Sequence, residues 1–215
     1  MPVPLKIDFV SDISCPWCVI GLRALEQAMA RLDGQVAVDL HFQPFELNPQ
    51  MPPGGQDIDE HLQQKYGSTP EQAALVRERI RAAGAALGFT FSLQTRSRIY
   101  NTFDAHRLLH WAALEGRQLA LKQALFQAYF TDGEDPSSHQ VLIRAAARVG
   151  LDATRAARIL DSNEFAAVVR KEQAFYRDQG IHAVPAVIIN NQHLIQGGQP
   201  VEVFEQALRQ IAGLA

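Results

Sequence analysis

No stretch of this sequence stays apolar for the roughly 18 residues that a membrane-crossing helix needs. Nor is charge of one sign ever bunched. The 20 Lys and Arg and the 23 Asp and Glu are scattered, for a formal net charge of -3. That leaves neither the basic footprint of a nucleic-acid binder nor a patch for an anionic membrane. There is no internal repeat and no low-complexity tract. The opening MPVPLKIDFV has no positive leader followed by an apolar run and a small-residue cleavage site, so the expected location is the cytoplasm. Cysteine is scarce: there are two, both inside DISCPWCVIG at 11–20. A reducing cytoplasm seldom keeps structural disulfides, and a staple over so short a loop removes little freedom from the unfolded chain. The pair therefore reads as a redox centre, a redox sensor or half of a metal site.

What is present suffices for a substantial core: 47% of the 215 residues are hydrophobic. LKIDFV at 5–10 alternates as a strand, with Leu5, Ile7 and Phe9 on one side. A helix follows from about Pro16 to Leu32, its apolar residues on one broad face. VAVDLHFQPF at 36–45 reads as a second strand, and strand–helix–strand predicts a parallel βαβ unit. After the Pro/Gly-rich loop at 44–55 the periodicity from about Ile58 to Gln179 is almost wholly helical. Thr69 before Pro70 and Asp152 before ATRAARIL are the expected caps; a last helix covers about Asn163 to Gln179. AVPAVIIN and QHLIQGG then predict an antiparallel hairpin turning at NNQ, and QPVEVFEQALRQIAG a closing helix. The fold class is α/β: βαβ…ββα interrupted by a large all-helical insertion. The expected division is 1–57 and 180–215 for the two parts of the core and 58–179 for the insertion.

Cys15 falls between the end of the first strand and the first helix, where α/β proteins gather their chemistry. With Pro16 at the first helical position, Cys15 becomes the N-cap. Its sulfur is then expected to face the free amides of Trp17 and Cys18 and the positive end of the helix dipole, which favour thiolate. Cys18, one turn in and partly buried, is expected to keep a higher pKa and to be the resolving thiol that attacks a mixed disulfide on Cys15. A buried acid could take the Cys18 proton, and Asp8, on the strand, is preferred to Asp12, which reads as a solvated or capping residue. Val184-Pro185 lies where a strand begins. That suits a residue with no amide hydrogen and is consistent with a cis bond. His106 and His110, four apart in DAHRLLH, would complete a Cys₂His₂ zinc set with the cysteines. Their distance from the cysteines in sequence argues against it, and no metal is expected. Phe45, Asn48 and Met51 are a candidate groove lining.

SDISCPWCVIG, FQPFELNPQMP, NTFDAHRLLHWA and VPAVIINNQHLIQGGQP, in this order, span nearly the whole chain. Together they resemble the cytosolic FrnE-type DsbA-like oxidoreductases of the thioredoxin superfamily. The resemblance implies a thioredoxin-like fold and a thiol–disulfide oxidoreductase of reductase or isomerase type. It implies Cys15 as nucleophile, Cys18 as resolving thiol, and Val184 with cis-Pro185 as the substrate-docking loop beside the sulfurs. Pro16 and Trp17 complete the motif. Some relatives carry a second cysteine pair; this chain has none, so a relay through a second internal disulfide is excluded. Strongly oxidising relatives have a histidine where Trp17 stands, so a less oxidising couple is expected here. No bound cofactor is implied beyond the redox-active disulfide, with glutathione as a reductant, and the partners are protein or small-molecule thiols and disulfides. Helical insertions of this kind can supply homodimer contacts. Two other readings are a glutathione-dependent isomerase or transferase of the kappa or hydroxychromene-carboxylate type, and a redox-sensing binding or chaperone module. The first usually has serine where Cys15 stands.

Overall fold

The computed structural model describes residues 1–92 and 97–214. Strand β1 (Val3–Ser11) is central. It pairs in parallel with β2 (Val36–Pro44), Phe9 opposite Phe42, and antiparallel with β5 (Ala186–Ile189), Phe9 opposite Val187. A fourth strand, β6 (His193–Gln196), pairs antiparallel with β5 to give the order β2-β1-β5-β6. A parallel pair needs a crossover, and helix α1 (Pro16–Arg31) supplies it. The β5–β6 hairpin needs only a tight turn, where Asn190 and Asn191 adopt φ of 53° and 57°, a left-handed conformation that asparagine tolerates.

The two-residue period of β1 divides the core. Leu5, Ile7 and Phe9 share one cluster with Leu22, Leu25 and Ala28 of α1 and with Phe204 and Leu208 of the last helix, α9 (Val201–Ile211). Val10 belongs to a smaller cluster with Phe45, Tyr176, Ile181 and Ala186. Phe45, expected in a groove, is thus a core residue.

Between β2 and β5 the chain inserts α2 (Ile58–Tyr66), α3 (Pro70–Ala86), α4 (Phe103–Leu114), α5 (Gln118–Phe126), α6 (His139–Arg148), α7 (Ala153–Leu160) and α8 (Ala166–Asp178). Thr69 caps α3 in a capping box with Gln72, and Asp152 caps α7 through the Arg155 amide. Leu109, Phe126 and Leu142 of this block join the same core cluster as β1, so the insertion and the sheet share one interior.

Three features depart from the expected helical block. Gln56–Asp57 (β3) and Arg98–Ile99 (β4) pair as a two-stranded ribbon, each too short to show a strand period. Helix α5 runs into a π-helical turn over Gln127–Thr131, where Phe130 packs within 4.7 Å of Tyr129 and 5.3 Å of Phe91, ring to ring. The last helix of the block begins at Ala166 and not Asn163, because Phe165 takes φ of 62°. The helical reading also ran through 93–96, which lie outside the described residues.

Leu25 is fully buried where α1 meets the sheet. Leu25→Ala is expected to lower unfolding stability by about 2–5 kcal/mol, measured by urea titration; a loss within experimental error would show that α1 is not held by this packing.

Candidate active site

The chain leaves β1 at Ser11 and makes one turn before α1, closed by the Cys15 amide donating to the Asp12 carbonyl at 3.4 Å. Pro16 enters the helix with its φ already fixed, which leaves Cys15 as the N-cap in extended geometry. Its sulfur does not cap the helix, contrary to the expectation from sequence. Instead Sγ donates to the Val184 carbonyl at 3.6 Å, while the Cys18 amide is taken by the Cys15 carbonyl at 3.1 Å. The Val184–Pro185 peptide is cis, and Pro185 sits one residue before β5. Both cysteines are free thiols, Cys15 4% exposed and Cys18 fully buried.

Two glycines bring these segments together. A Cβ on Gly21 of α1 would lie 3.0 Å from the Pro185 ring, and one on Gly198 3.0 Å from the Trp17 carbonyl. Glycine costs a helix roughly 0.5–1 kcal/mol relative to alanine; at Gly21 it lets α1 approach the proline loop. Trp17 is half-buried.

The acid beside the cysteines is Asp12, not Asp8. Asp12 is 1% exposed and accepts from Thr102 Oγ1 at 2.7 Å, the Leu47 amide at 2.7 Å, Ser14 Oγ at 2.9 Å and the Ser14 amide at 3.3 Å. His106 Nε2 lies 3.5 Å from the same carboxylate. Burial alone would raise its pKa, yet His106, the Leu47 amide and Thr102 together lower it from 3.8 to about 2. Asp8 is also buried but is held by Lys6 Nζ at 2.8 Å and Gln43 Nε2 at 2.7 Å. Its charge acts on Tyr176, whose phenol is raised by burial first and Asp8 second. Asp8 and Asp12 are even-spaced on β1 and its extension, but the turn after Ser11 swings Asp12 toward α1 and α4.

The Cys18 thiol is pushed well above its ordinary value. Burial is the main cause, followed by the hydrogen bond and charge of Cys15; Lys122 and the Asp12 main chain act in the opposite direction. Sequence reasoning passed over Lys122. It is fully buried, its ammonium 5.0 Å from the Phe126 ring centre and 5.8 Å from that of Phe42. The signal was its spacing: Lys122 shares the face of Leu125 and Phe126 on an otherwise apolar helix stripe.

Near Cys15, Tyr66 at the end of α2 is 61% exposed. Partial desolvation and then the charge of Cys15 raise its phenol. Next to it, Lys65 donates to the Leu47 carbonyl at 3.0 Å and Asn48 Oδ1 at 2.7 Å, holding the 44–55 loop beside the site. His106 and His110 face different carboxylates: His106 Nε2 is turned to Asp12, and His110 Nδ1 lies 3.5 Å from Glu172. Among the described residues no group of three or more His, Cys, Asp and Glu side chains is placed to hold a metal ion.

A strand-end CxxC at a helix N-terminus, facing a cis-proline loop, is matched by a known family. Residues 6–209 fit the family model of the DSBA-like thioredoxin domain. The chain belongs to that family. It is an enzyme of the thiol–disulfide oxidoreductase and isomerase kind. A probable DsbA oxidoreductase of Streptomyces coelicolor, SCO1869, is 33% identical, with a TM-score of 0.91 over 98% of this chain and 91% of that one. Two more distant structures share the DSBA-like fold. The cytosolic disulfide reductase DsbM of Pseudomonas aeruginosa, solved with GSH, is 17% identical with a TM-score of 0.68, covering 97% of this chain and 100% of that one. A 2-hydroxychromene-2-carboxylate isomerase is 14% identical with a TM-score of 0.70, covering 98% and 99%.

Because Asp12 titrates lower in the folded chain than unfolded, its ionised form stabilises the fold above about pH 4, and that contribution is lost as pH falls through about 2. Asp12→Asn is expected to cost on the order of 2 kcal/mol at pH 7, the gap from wild type closing toward pH 2. Urea unfolding across this range is the measurement; a pH-independent gap would mean that the carboxylate's charge is not what the site uses.

Proposed function

We propose that this DSBA-like chain is a cytoplasmic thiol–disulfide oxidoreductase working in the reducing or isomerising direction, with Cys15 as nucleophile and Cys18 as resolving thiol. The observation that carries this reading is the asymmetry of the pair. Cys15 stands at the helix N-cap against the Val184 main chain, while Cys18 is sealed beneath it with its proton held tightly.

Cys15 sulfur attacks one sulfur of a substrate disulfide. A Cys15–substrate disulfide forms as the substrate S–S bond breaks, and the first substrate thiolate leaves with the electron pair. Cys18 then attacks the Cys15 sulfur, releasing the second thiolate and leaving a Cys15–Cys18 disulfide. Two electrons have passed to the substrate, and each released thiolate takes up a proton. Two equivalents of a thiol such as glutathione regenerate the dithiol, and a cytoplasmic thiol pool drives that step. That DsbM shares this fold and was solved with GSH supports glutathione as reductant.

Val184 with Pro185 is the docking loop in this reading. An extended substrate segment lies along it beside Cys15, with Trp17 and Tyr66 as flanking surface. Asn48 and Met51 border a neighbouring cavity of about 300 Å³ with Gln56 and His61, within reach of a longer substrate. Trp17 offers no charge to hold a thiolate, which supports a more reducing couple than that of DsbA. An intact Cys15 favours exchange over the isomerase chemistry of the hydroxychromene-carboxylate type; turnover of an aromatic substrate with glutathione that survives Cys15→Ser would reverse that preference.

Cys15→Ser is expected to abolish reduction of a protein disulfide, whereas Cys18→Ser should accumulate a mixed disulfide on Cys15, detected by intact mass. Equilibration in glutathione buffers should place the couple below DsbA's roughly -120 mV, toward the roughly -200 to -270 mV of glutaredoxins and thioredoxin. A potential at or above DsbA's would sink the reducing direction, and an active Cys15→Ser protein would sink the site.

A further inference from the structure

Where β2 meets α4, α5 and α8, the structure holds a cavity of about 140 Å³. Neither cysteine lines it, nor does the Val184–Pro185 loop, so it is separate from the site described above. A cavity of roughly 150 Å³ accepts a benzene-sized molecule, which sets the scale of an occupant at about six non-hydrogen atoms. Phe42, Leu109, Ala113 and Leu114 form the apolar part of the wall.

The polar part of the wall is largely spoken for. Gln118 donates to the Phe42 carbonyl and accepts from its amide, both at 2.9 Å, and Gln43 Nε2 is turned to Asp8. His41 lies 2.8 Å from Asp39, and His110 is paired with Glu172. Among the described residues two buried side-chain polar atoms have no hydrogen-bond partner, His106 Nε2 and Lys122 Nζ, and both residues line this cavity. His106 Nε2 at least has the Asp12 carboxylate 3.5 Å away. Lys122 has only the rings of Phe42 and Phe126, which give its ammonium no oxygen to donate to. Burial lowers its amine to about 8, which still leaves it mainly charged at neutral pH. A buried cation without a partner is costly, and an anion in the cavity beside it would supply one.

We propose that this cavity is a binding site for a small aliphatic monocarboxylate, the carboxylate paired with Lys122 and the hydrocarbon end against Leu109 and Ala113. The inference is independent of the roles proposed for the cysteines. Shape and charge together select this class. A neutral apolar molecule would fill the cavity and leave the ammonium unpaired, whereas an inorganic oxyanion would pair the ammonium and leave the apolar wall uncovered. A dianion is disfavoured because one ammonium is free and Glu172 stands on the same wall. Glu172 is partly exposed and faces His110, so water and that ring weaken its repulsion of a single negative charge.

The test is calorimetric titration of the full-length protein with sodium butyrate, a six-atom monocarboxylate, at constant ionic strength. Saturable binding is expected with a dissociation constant of ~1 mM or tighter. Butyramide, of the same shape without the charge, and inorganic phosphate should each bind at least ~30-fold more weakly, and so should butyrate to Lys122→Met. Absence of saturable butyrate binding would mean that the cavity holds water only and overturns the proposal. Equal binding of butyramide removes the role of charge, and tighter binding of phosphate replaces the carboxylate class; either overturns it as well. Undiminished butyrate binding in folded Lys122→Met does the same. Nuclear Overhauser contacts in the wild-type protein decide without the variant. Contacts from butyrate protons to the Lys122 side chain and the Leu109 methyl groups support the site, and contacts confined to other residues refute it.

Discussion

A buried carboxylate keeps its charge only if donors surround it, and Asp12 recruits them from separate parts of the chain. Thr102 comes from the entry to α4, the Leu47 amide from the loop after β2, and Ser14 from the cysteine turn itself. Through Leu47 and Asn48 the network extends to Lys65 on α2. Glu46, also buried, ties the same loop to Arg170 and Gln173 of α8 at 2.6 and 3.0 Å. The helical insertion is thereby fastened to the turn that presents Cys15. Without this knot the sheet and the helices would share apolar surface but no fixed register at the site.

The same interior holds charge in two contrasting ways. Asp12 is satisfied on every side and serves as a fixed structural anion. Lys122 has only aromatic rings around its ammonium and a cavity alongside. Satisfied polar groups rigidify, whereas an unsatisfied one in a native interior calls for a functional reason. The Asp12 main chain and the Lys122 charge both act on Cys18, the thiol whose proton burial holds most tightly. The two cysteines thus differ through what surrounds them, although two residues separate them in sequence.

Close backbone approach is the third constraint. Gly21 and Gly198 let the first helix, the Pro185 loop and the turn after β6 meet without a Cβ between them. The Val184 carbonyl then lies against Cys15.

The features legible in the sequence are those encoded within a few residues. Strand alternation in LKIDFV, the Thr69 and Asp152 caps, the NNQ turn, the helix after CPWC and the nearness of Cys15 to a strand end are of this kind, because period and capping depend on local geometry. The α/β order with its helical insertion was legible in the same way, and family motifs extended that reading to the thioredoxin-like fold and to the pairing of CPWC with the proline loop. Tertiary structure decided the surroundings of the two aspartates: the turn after Ser11 carries Asp12 to donors from Leu47 and Thr102, while Asp8 stays on the strand with Lys6 and Gln43. It also decided that Lys122, an ordinary residue of LALKQALF, is fully buried over the rings of Phe42 and Phe126. Contacts between residues 35, 90 or more positions apart, such as Leu47 and Thr102 with Asp12, leave no local pattern. They exist only once the apolar faces have packed and the polar groups trapped between them have found partners or failed to.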